Sequence, residues 1–480
     1  MAPRLSVKEV NFRMRNVRTR MPFKYGVATL TSVPILHLLV RVELENGALI
    51  QGVSADILPP KWFDKDPAKD YAENVADLVY MARAAAKAYT EASQKPGSVF
   101  DIWQQGYANT LAAGDERGLN HLTASHGSTL MERALIDALG AGLQAPYFAL
   151  LKDNALGIDL GQLHGELTGV EPAQVIAPQP LSQVHLRHTV GLADPIGRAD
   201  IAPDDRLNDG LPQSLEEYAE GGITYFKIKV NGDLEADLER LRAIAALLDK
   251  QPDSYHSTLD GNEQYGDMDS FLELVGRVES DDRLQRFWQS VLYIEQPLER
   301  SAALDPGLES GIRAAAARRP MLIDESDGDL DTFKAAAALG YKGVSSKNCK
   351  GLIKALANQA LGQYWQRRGE GDYFLSGEDL MNLPVVPLHQ DLTHVAALGI
   401  DHVERNGHHY VRGHLASGER AECGQHFAGL YQPLGDSLIL NTAGGRLDLT
   451  SLQGPGLGGS GPVNGEAMIP LEDWRFDSLA

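Results

Sequence analysis

From Ile223 to Lys350 the chain alternates short apolar runs with helical patterns, and successive apolar runs end on charged residues. The segment Thr224-Tyr-Phe-Lys-Ile-Lys-Val230 predicts a β-strand whose Lys227 and Lys229 share one face while Phe226, Ile228 and Val230 share the other. Asp260 closes Tyr255–Asp260, Glu295 closes Val291–Glu295, Asp324 closes Met321–Asp324 and Lys347 closes Gly343–Lys347. The repeat, roughly 30 residues, is that of one βα unit of an eight-fold barrel, whose chemistry sits at the C-terminal ends of the strands. Counting back, Asp260 shares its face with Thr258, Glu295 with Tyr293, Asp324 with Leu322 and Lys347 with Ser345. The intervening Leu259, Ile294 and Ile323 are apolar, and Ser346 is the polar exception. The charges are therefore expected to converge on the barrel axis at one end.

Upstream, Leu5–Val17, Ile35–Glu45 and Ala48–Ser54 predict three antiparallel strands, with a tight Glu45-Asn46-Gly47 turn between the last two. Thr19–Thr31 and Ala55–Asp66 read as polar loops. A helix is predicted over Ala68–Ser93 with Pro67 at its first turn, an irregular insertion over Lys95–Thr123, and a helix starting at a Thr129/Glu132 capping box. Gly157–Pro180 has linker composition. The βα rhythm then begins with a strand at Val184–Val190. A helix opens on a Ser214/Glu217 capping box, and another spans Asp233–Asp249. It closes with a seventh strand at Asp372–Gly377, a helix at Pro384–Leu398 and an eighth strand at His402–Val411. The predicted fold is α/β. An N-terminal α+β capping domain covers residues 1–165, a (β/α)8-type TIM barrel covers 180–412, and a C-terminal segment, 413–480, returns to the cap.

At 480 residues the chain has room for such a barrel and a further domain. A formal net charge of −21 argues against nucleic acid as a partner, because phosphate binding calls for a basic surface. Two cysteines, Cys349 and Cys423, are too few for a disulfide framework and point to a reducing cytoplasm. The N-terminal residues lack a signal-peptide core, and no apolar run is long enough to span a membrane. A soluble cytoplasmic enzyme is expected, forming a homo-oligomer.

Three carboxylates ending adjacent strands suit a hard divalent cation. Asp260, Glu295 and Asp324 would ligate Mg²⁺, or alternatively Mn²⁺, with positions left for a substrate carboxylate. The competing reading is a structural network of ion pairs.

Lys227-Ile-Lys229, Asp260-Gly-Asn262, Glu295-Gln-Pro297, Asp324-Glu-Ser326 and Lys347 resemble, in order and spacing, the motifs of the enolase superfamily. Lysines on both the second and sixth barrel strands resemble the muconate lactonizing enzyme-like members of its mandelate racemase/muconate lactonizing enzyme family, which include dipeptide epimerases and o-succinylbenzoate synthases. The similarity covers the whole barrel and, more weakly, the cap; Gly454-Pro-Gly-Leu-Gly458 is also similar to that family's ending. The resemblance implies removal of the α-proton of a small carboxylate through an enediolate, giving racemisation, epimerisation, syn-elimination or cycloisomerisation. Lys229 and Lys347 would act as base and acid from opposite faces, and Lys227 would assist by its charge. Asn262, with Phe23 and Tyr25 from a cap loop, would contact substrate. Glu378 and Asp379 either bind substrate or cap the following helix.

Two departures limit this. The eighth strand reads Asp401-His-Val-Glu404, which breaks the Asp-x-Asp pair of ammonium-binding epimerases. No histidine ends the seventh strand, which speaks against the alternative of an acid-sugar dehydratase. A non-catalytic carboxylate-binding barrel is a further alternative, opposed by the intact ligands and lysines. Gly456–Gly461 fits a dinucleotide glycine pattern without its strand–helix context. His402, His408, His409 and His414 match no standard zinc spacing.

Overall fold

The computed structural model describes residues 2–25, 28–252, 254–459, 461 and 463–479. Three antiparallel strands open the chain: β1 (Leu5–Tyr25), β2 (Ala28–Leu44) and β3 (Leu49–Ile57). The predicted polar loop at Thr19–Thr31 is instead the far end of the β1–β2 hairpin, where Phe23 pairs with Leu30 and Lys24 with Thr29. Alternate side chains there are buried (Phe23, Ala28, Leu30) while Lys24 and Thr29 face solvent, so no continuous apolar run marks the strand in sequence. Gly26 and Val27 lie outside the described residues.

Three helices pack together and against this sheet: α1 (Tyr71–Ala92), α2 (Val99–Glu116) and α3 (His121–Leu143). Helix α1 starts at Asp70, whose carboxylate accepts from the Glu73 amide, rather than at Pro67. The stretch read as an irregular insertion is α2, begun by a Ser98/Asp101 capping box. Helix α3 begins after Asn120, so Thr129 and Glu132 lie inside it rather than at its start. Thr129 Oγ1 donates back to the His126 carbonyl (2.9 Å). Glu132 accepts from the amide of Ile353 in the barrel (2.7 Å) and from Trp103 Nε1 (3.0 Å). A hydroxyl and a carboxylate three residues apart thus serve packing here, not capping.

The barrel strands are β4 (Gln183–Val190), β5 (Tyr225–Lys229), β6 (His256–Asp260), β7 (Val291–Glu295), β8 (Met321–Ile323), β9 (Gly343–Ser346), β10 (Phe374–Gly377) and β11 (His402–Arg405). All eight are parallel and in sequence order, and β11 pairs with β4 to close the ring. The eighth strand is shorter than predicted, because Gly407–Tyr410 coils into a helical turn. Short helical turns at 160–163, 165–167 and 172–174, anchored by buried Leu160, Leu167 and Val175, replace a plain linker.

After the barrel, β12 (Tyr431–Leu434) and β13 (Ser437–Leu440) form a hairpin, and β14 (Arg446–Asp448) lies antiparallel on β4. β15 (Ile469–Pro470) pairs with β1, and Trp474 Nε1 donates to Asn16 Oδ1 (2.8 Å). Fully buried Arg133 joins cap to barrel, pairing with Asp56 and donating to Gln390 Oε1 (3.0 Å). Among the described residues no helix is long and apolar enough to cross a membrane.

Candidate active site

The strand register brings the charged ends together. Lys229 is level with Asp260, Asp260 with Glu295, and Glu295 with Leu322, two residues before Asp324. Their outward neighbours Ile228, Leu259, Ile294 and Ile323 are buried, so each strand packs apolar residues outward and turns its charge inward. Lys227, Lys229, Asp260, Glu295, Asp324 and Lys347 are all less than a tenth exposed.

Lys227 is held by four carboxylates: Glu295 and Glu378 at 2.8 Å, Glu404 at 3.1 Å and Asp260 at 3.2 Å. Burial works against its ammonium, but these carboxylates outweigh burial and keep it charged far above ordinary lysine conditions. Lys229 donates to Asp260 Oδ2 at 2.7 Å. Burial would raise the Asp260 carboxyl, yet Lys227 and Lys229 pull it below its usual range. Across the ring, Lys347 donates to Asp324 Oδ2 at 2.5 Å, and Lys350 reaches Asp324 Oδ1 at 2.9 Å. Asp324 is thereby held well below the carboxylate range despite burial, and Lys347 is held above the lysine range.

Glu295 behaves oppositely. Burial, then repulsion from Asp260 and Glu378, pushes its carboxyl well up, and its shared contact with Lys227 does not compensate. Its Oε2 has no hydrogen-bond partner although Lys227 Nζ lies 2.8 Å away. A buried carboxylate destabilised by neighbouring carboxylates is what a divalent cation relieves, and an all-oxygen donor set fits Mg²⁺. Among the described residues no three acidic, histidine or cysteine side chains already stand as a metal cage, since ammonium groups bridge these carboxylates instead.

Above these groups lies a cavity. Its floor includes the three lysines, Asp260 and Asp324. Phe23 roofs it, stacked on Tyr410 at 4.1 Å between centroids, together with Trp62, whose ring centroid lies 4.6 Å from Lys347 Nζ. The carbonyls of Trp62 and Phe63 each accept from Arg300 at 2.9 Å, and Arg300 is itself anchored on Glu263 (2.8 Å). The Tyr25 side chain lies outside the described residues. Asn262 lines the cavity, its amide N–H bonded to Asp260 Oδ1 (2.7 Å) and its Nδ2 to Glu325 (3.1 Å). Asp379 also lines it, accepting from Arg405 at 3.1 Å and from the Asn382 and Asn406 amides. Glu378 is turned inward to Arg187, Ser376 and Lys227, away from the lining.

Sequence reasoning missed several participants. Arg187 is a buried inward residue of β4, readable from parity with Thr189 once the strand is known. Glu404 lies one residue before the end of β11, and its sequence signal is only that of half a broken Asp-x-Asp pair. Lys350 follows Lys347 by one helical turn, and Glu325, pushed up to about 7 by burial and then by Asp324, follows a predicted ligand directly. Trp62 carried no signal beyond being aromatic in a loop. His402 stacks on Tyr225 (5.1 Å) inside the barrel, away from any metal-like grouping.

No protein-family model matches the chain, and no curated protein sequence does. Solved structures do. A dipeptide epimerase from Enterococcus faecalis V583, complexed with Mg and the dipeptide L-Leu-L-Tyr, is 15% identical with a TM-score of 0.57, over 94% of this chain and 99% of its own. A 2-chloromuconate cycloisomerase from Rhodococcus opacus 1CP is 14% identical with a TM-score of 0.61, over 97% of both chains. A mandelate racemase/muconate lactonizing protein from Herpetosiphon aurantiacus is 17% identical with a TM-score of 0.55, over 94% of this chain and 98% of its own. A closed eight-stranded parallel barrel beneath an N-terminal strand-and-helix domain, matched along nearly its whole length, gives this chain the fold of the mandelate racemase/muconate lactonizing enzyme proteins.

Proposed function

We propose that the chain is a Mg²⁺-dependent enzyme of that family which abstracts the α-proton of a carboxylate substrate, with Mn²⁺ as an alternative ion. One observation carries this reading. Lys229 and Lys347 end strands four steps apart in a closed ring of eight, and both line one cavity together with Asp260 and Asp324.

Asp260, Glu295 and Asp324 would hold the ion, which when bound supplies positive charge to the substrate carboxylate as it gains electron density. Lys227, fixed by four carboxylates, adds a second permanent charge from below. Lys229 takes the α-proton on one face, leaving an enediolate. Lys347, charged against Asp324, stands on the other face to return a proton. Phe23 and Trp62 exclude water above. Return of the proton from the second face gives racemisation or epimerisation. If one lysine holds charge only, the same removal leads to elimination or cycloisomerisation. Among the described residues no histidine lines the cavity, which disfavours the acid-sugar dehydratase reading. Both cysteines are free and buried, in keeping with a cytoplasmic location.

Proton exchange in D₂O, followed by NMR over a panel of α-substituted carboxylic acids, tests the reading. Exchange should occur with added Mg²⁺ and stop with chelator. Exchange indifferent to chelator, or none across the panel, would sink it.

A further inference from the structure

We propose that the cavity selects a monocarboxylate whose far end is apolar and rejects one that carries a second carboxylate there. This rests on the floor being the carboxylate- and metal-binding end.

The cavity's cationic and apolar lining groups come from different elements. Among the described residues, its cationic lining groups are Lys227, Lys229 and Lys347, all at the floor. The upper wall is built from Phe23, Leu30, Ile57, Trp62, Leu380 and Met381, each less than a tenth exposed and so held in place by packing. No cation stands ready among them. Arg405, next to Glu404, is committed to Asp379 and Asp391. Arg300 and Lys65 are committed to Glu263, and Arg20 to Asp209.

The remaining charges in the wall are negative. Asp379 is satisfied by Arg405 and two backbone amides, and Glu404 by Lys227 (3.1 Å) and Thr189 (2.6 Å). Glu325 keeps one oxygen, Oε2, without a hydrogen-bond partner. A second substrate carboxylate would lose its water against this wall and meet no uncommitted cation there. An alkyl or aryl group would gain by burial against these apolar side chains.

Calorimetric titration of the Mg²⁺-loaded full chain with 4-phenylbutyrate and with glutarate tests this without need of turnover. Phenylbutyrate is expected to bind at least tenfold tighter. Equal affinities, the reverse order, or no phenylbutyrate binding would overturn the proposal. Leu30→Lys, which adds a cation to the wall, should narrow or invert the preference, and Met381→Lys repeats the test from the barrel side should the first variant not fold. A folded variant of either kind that keeps the full tenfold preference also counts against it. Chelation separates the two claims. Phenylbutyrate binding unaffected by chelator overturns the metal-site reading of the floor. Metal-dependent binding with glutarate preferred overturns only the substrate class.

Discussion

The Lys347 ammonium lies 4.6 Å from the centroid of the Trp62 ring, so a residue of the cap covers a charge of the barrel. Such a contact contributes about 0.5–2 kcal/mol, more when water is excluded. Trp62→Ala should lower kcat/KM by roughly tenfold, and Trp62→Phe, which keeps an aromatic face, by much less. Steady-state kinetics on any acid found to exchange decides; equal losses in both variants would show that ring and charge are not coupled.

The two end lysines should fail differently. Lys229→Met and Lys347→Met keep side-chain length but remove the proton carrier, and each should cost about two or more decades in turnover. For a racemase, each variant should still exchange the α-proton of one stereoisomer in D₂O, and not the same one. Loss of exchange with both stereoisomers in only one variant would assign a single base and move the reaction towards elimination.

Glu295→Gln should weaken Mg²⁺ binding at least tenfold, because one carboxylate of the three is neutralised. Isothermal calorimetry reads this directly. Unchanged affinity would remove Glu295 from the ligand set.

Stability should depend on pH through Glu132. Burial raises its carboxyl from 4.5 to about 7, although the Ile353 amide works against the shift. Because the folded-state value lies above the unfolded one, its contribution is complete below about 4.5 and is lost as pH rises through about 7. Glu132→Gln lacks this titration. The variant should be less stable than wild type at pH 5, with the gap narrowing by about 2 kcal/mol by pH 8. Thermal unfolding across that range checks the sign; a constant gap would mean that Glu132 does not titrate there.

Gly52 on β3 leaves no room for a side chain. A Cβ there would fall 2.0 Å from the Ala134 carbonyl oxygen and 2.6 Å from the Ala138 nitrogen, both backbone atoms of α3. Gly52→Ala must separate sheet from helix, and should cost about 2–4 kcal/mol of stability in a denaturant titration. A loss below 1 kcal/mol would show that the two layers slide apart easily.

The barrel was legible because five consecutive strands, β5 to β9, each carry a charge at or just past the end of a short run of β-forming residues. Lys227 and Lys229, two apart in one strand, also revealed which face looks inward. The cap was harder to read. In α2 the small residues Gly106 and Gly114 weaken the apolar stripe while allowing close packing on Tyr89 and Ala124. Helix α3 is buried on nearly every side from Leu122 to Gly140, so its start carries no periodic contrast and the Thr129/Glu132 pair imitated a cap. The polar tip of the β1–β2 hairpin lacks a continuous apolar run for the same reason that its Phe23 reaches the cavity: only one of its faces is covered. Trp62 and Arg300 meet only after folding, and no local pattern in either segment points to the other.

The pairing of β15 with β1 sets an order on folding. Asn16 meets Trp474 across 458 positions of sequence, so the cap's first strand keeps an open edge until the β15 segment has been made. Contacts of that range form late, after their loop-closure entropy has been met by everything between. An exposed strand edge is also a site for pairing with another chain. Until the β15 segment joins it, this edge of the cap is open to misassociation, and β15 acts as its built-in shield.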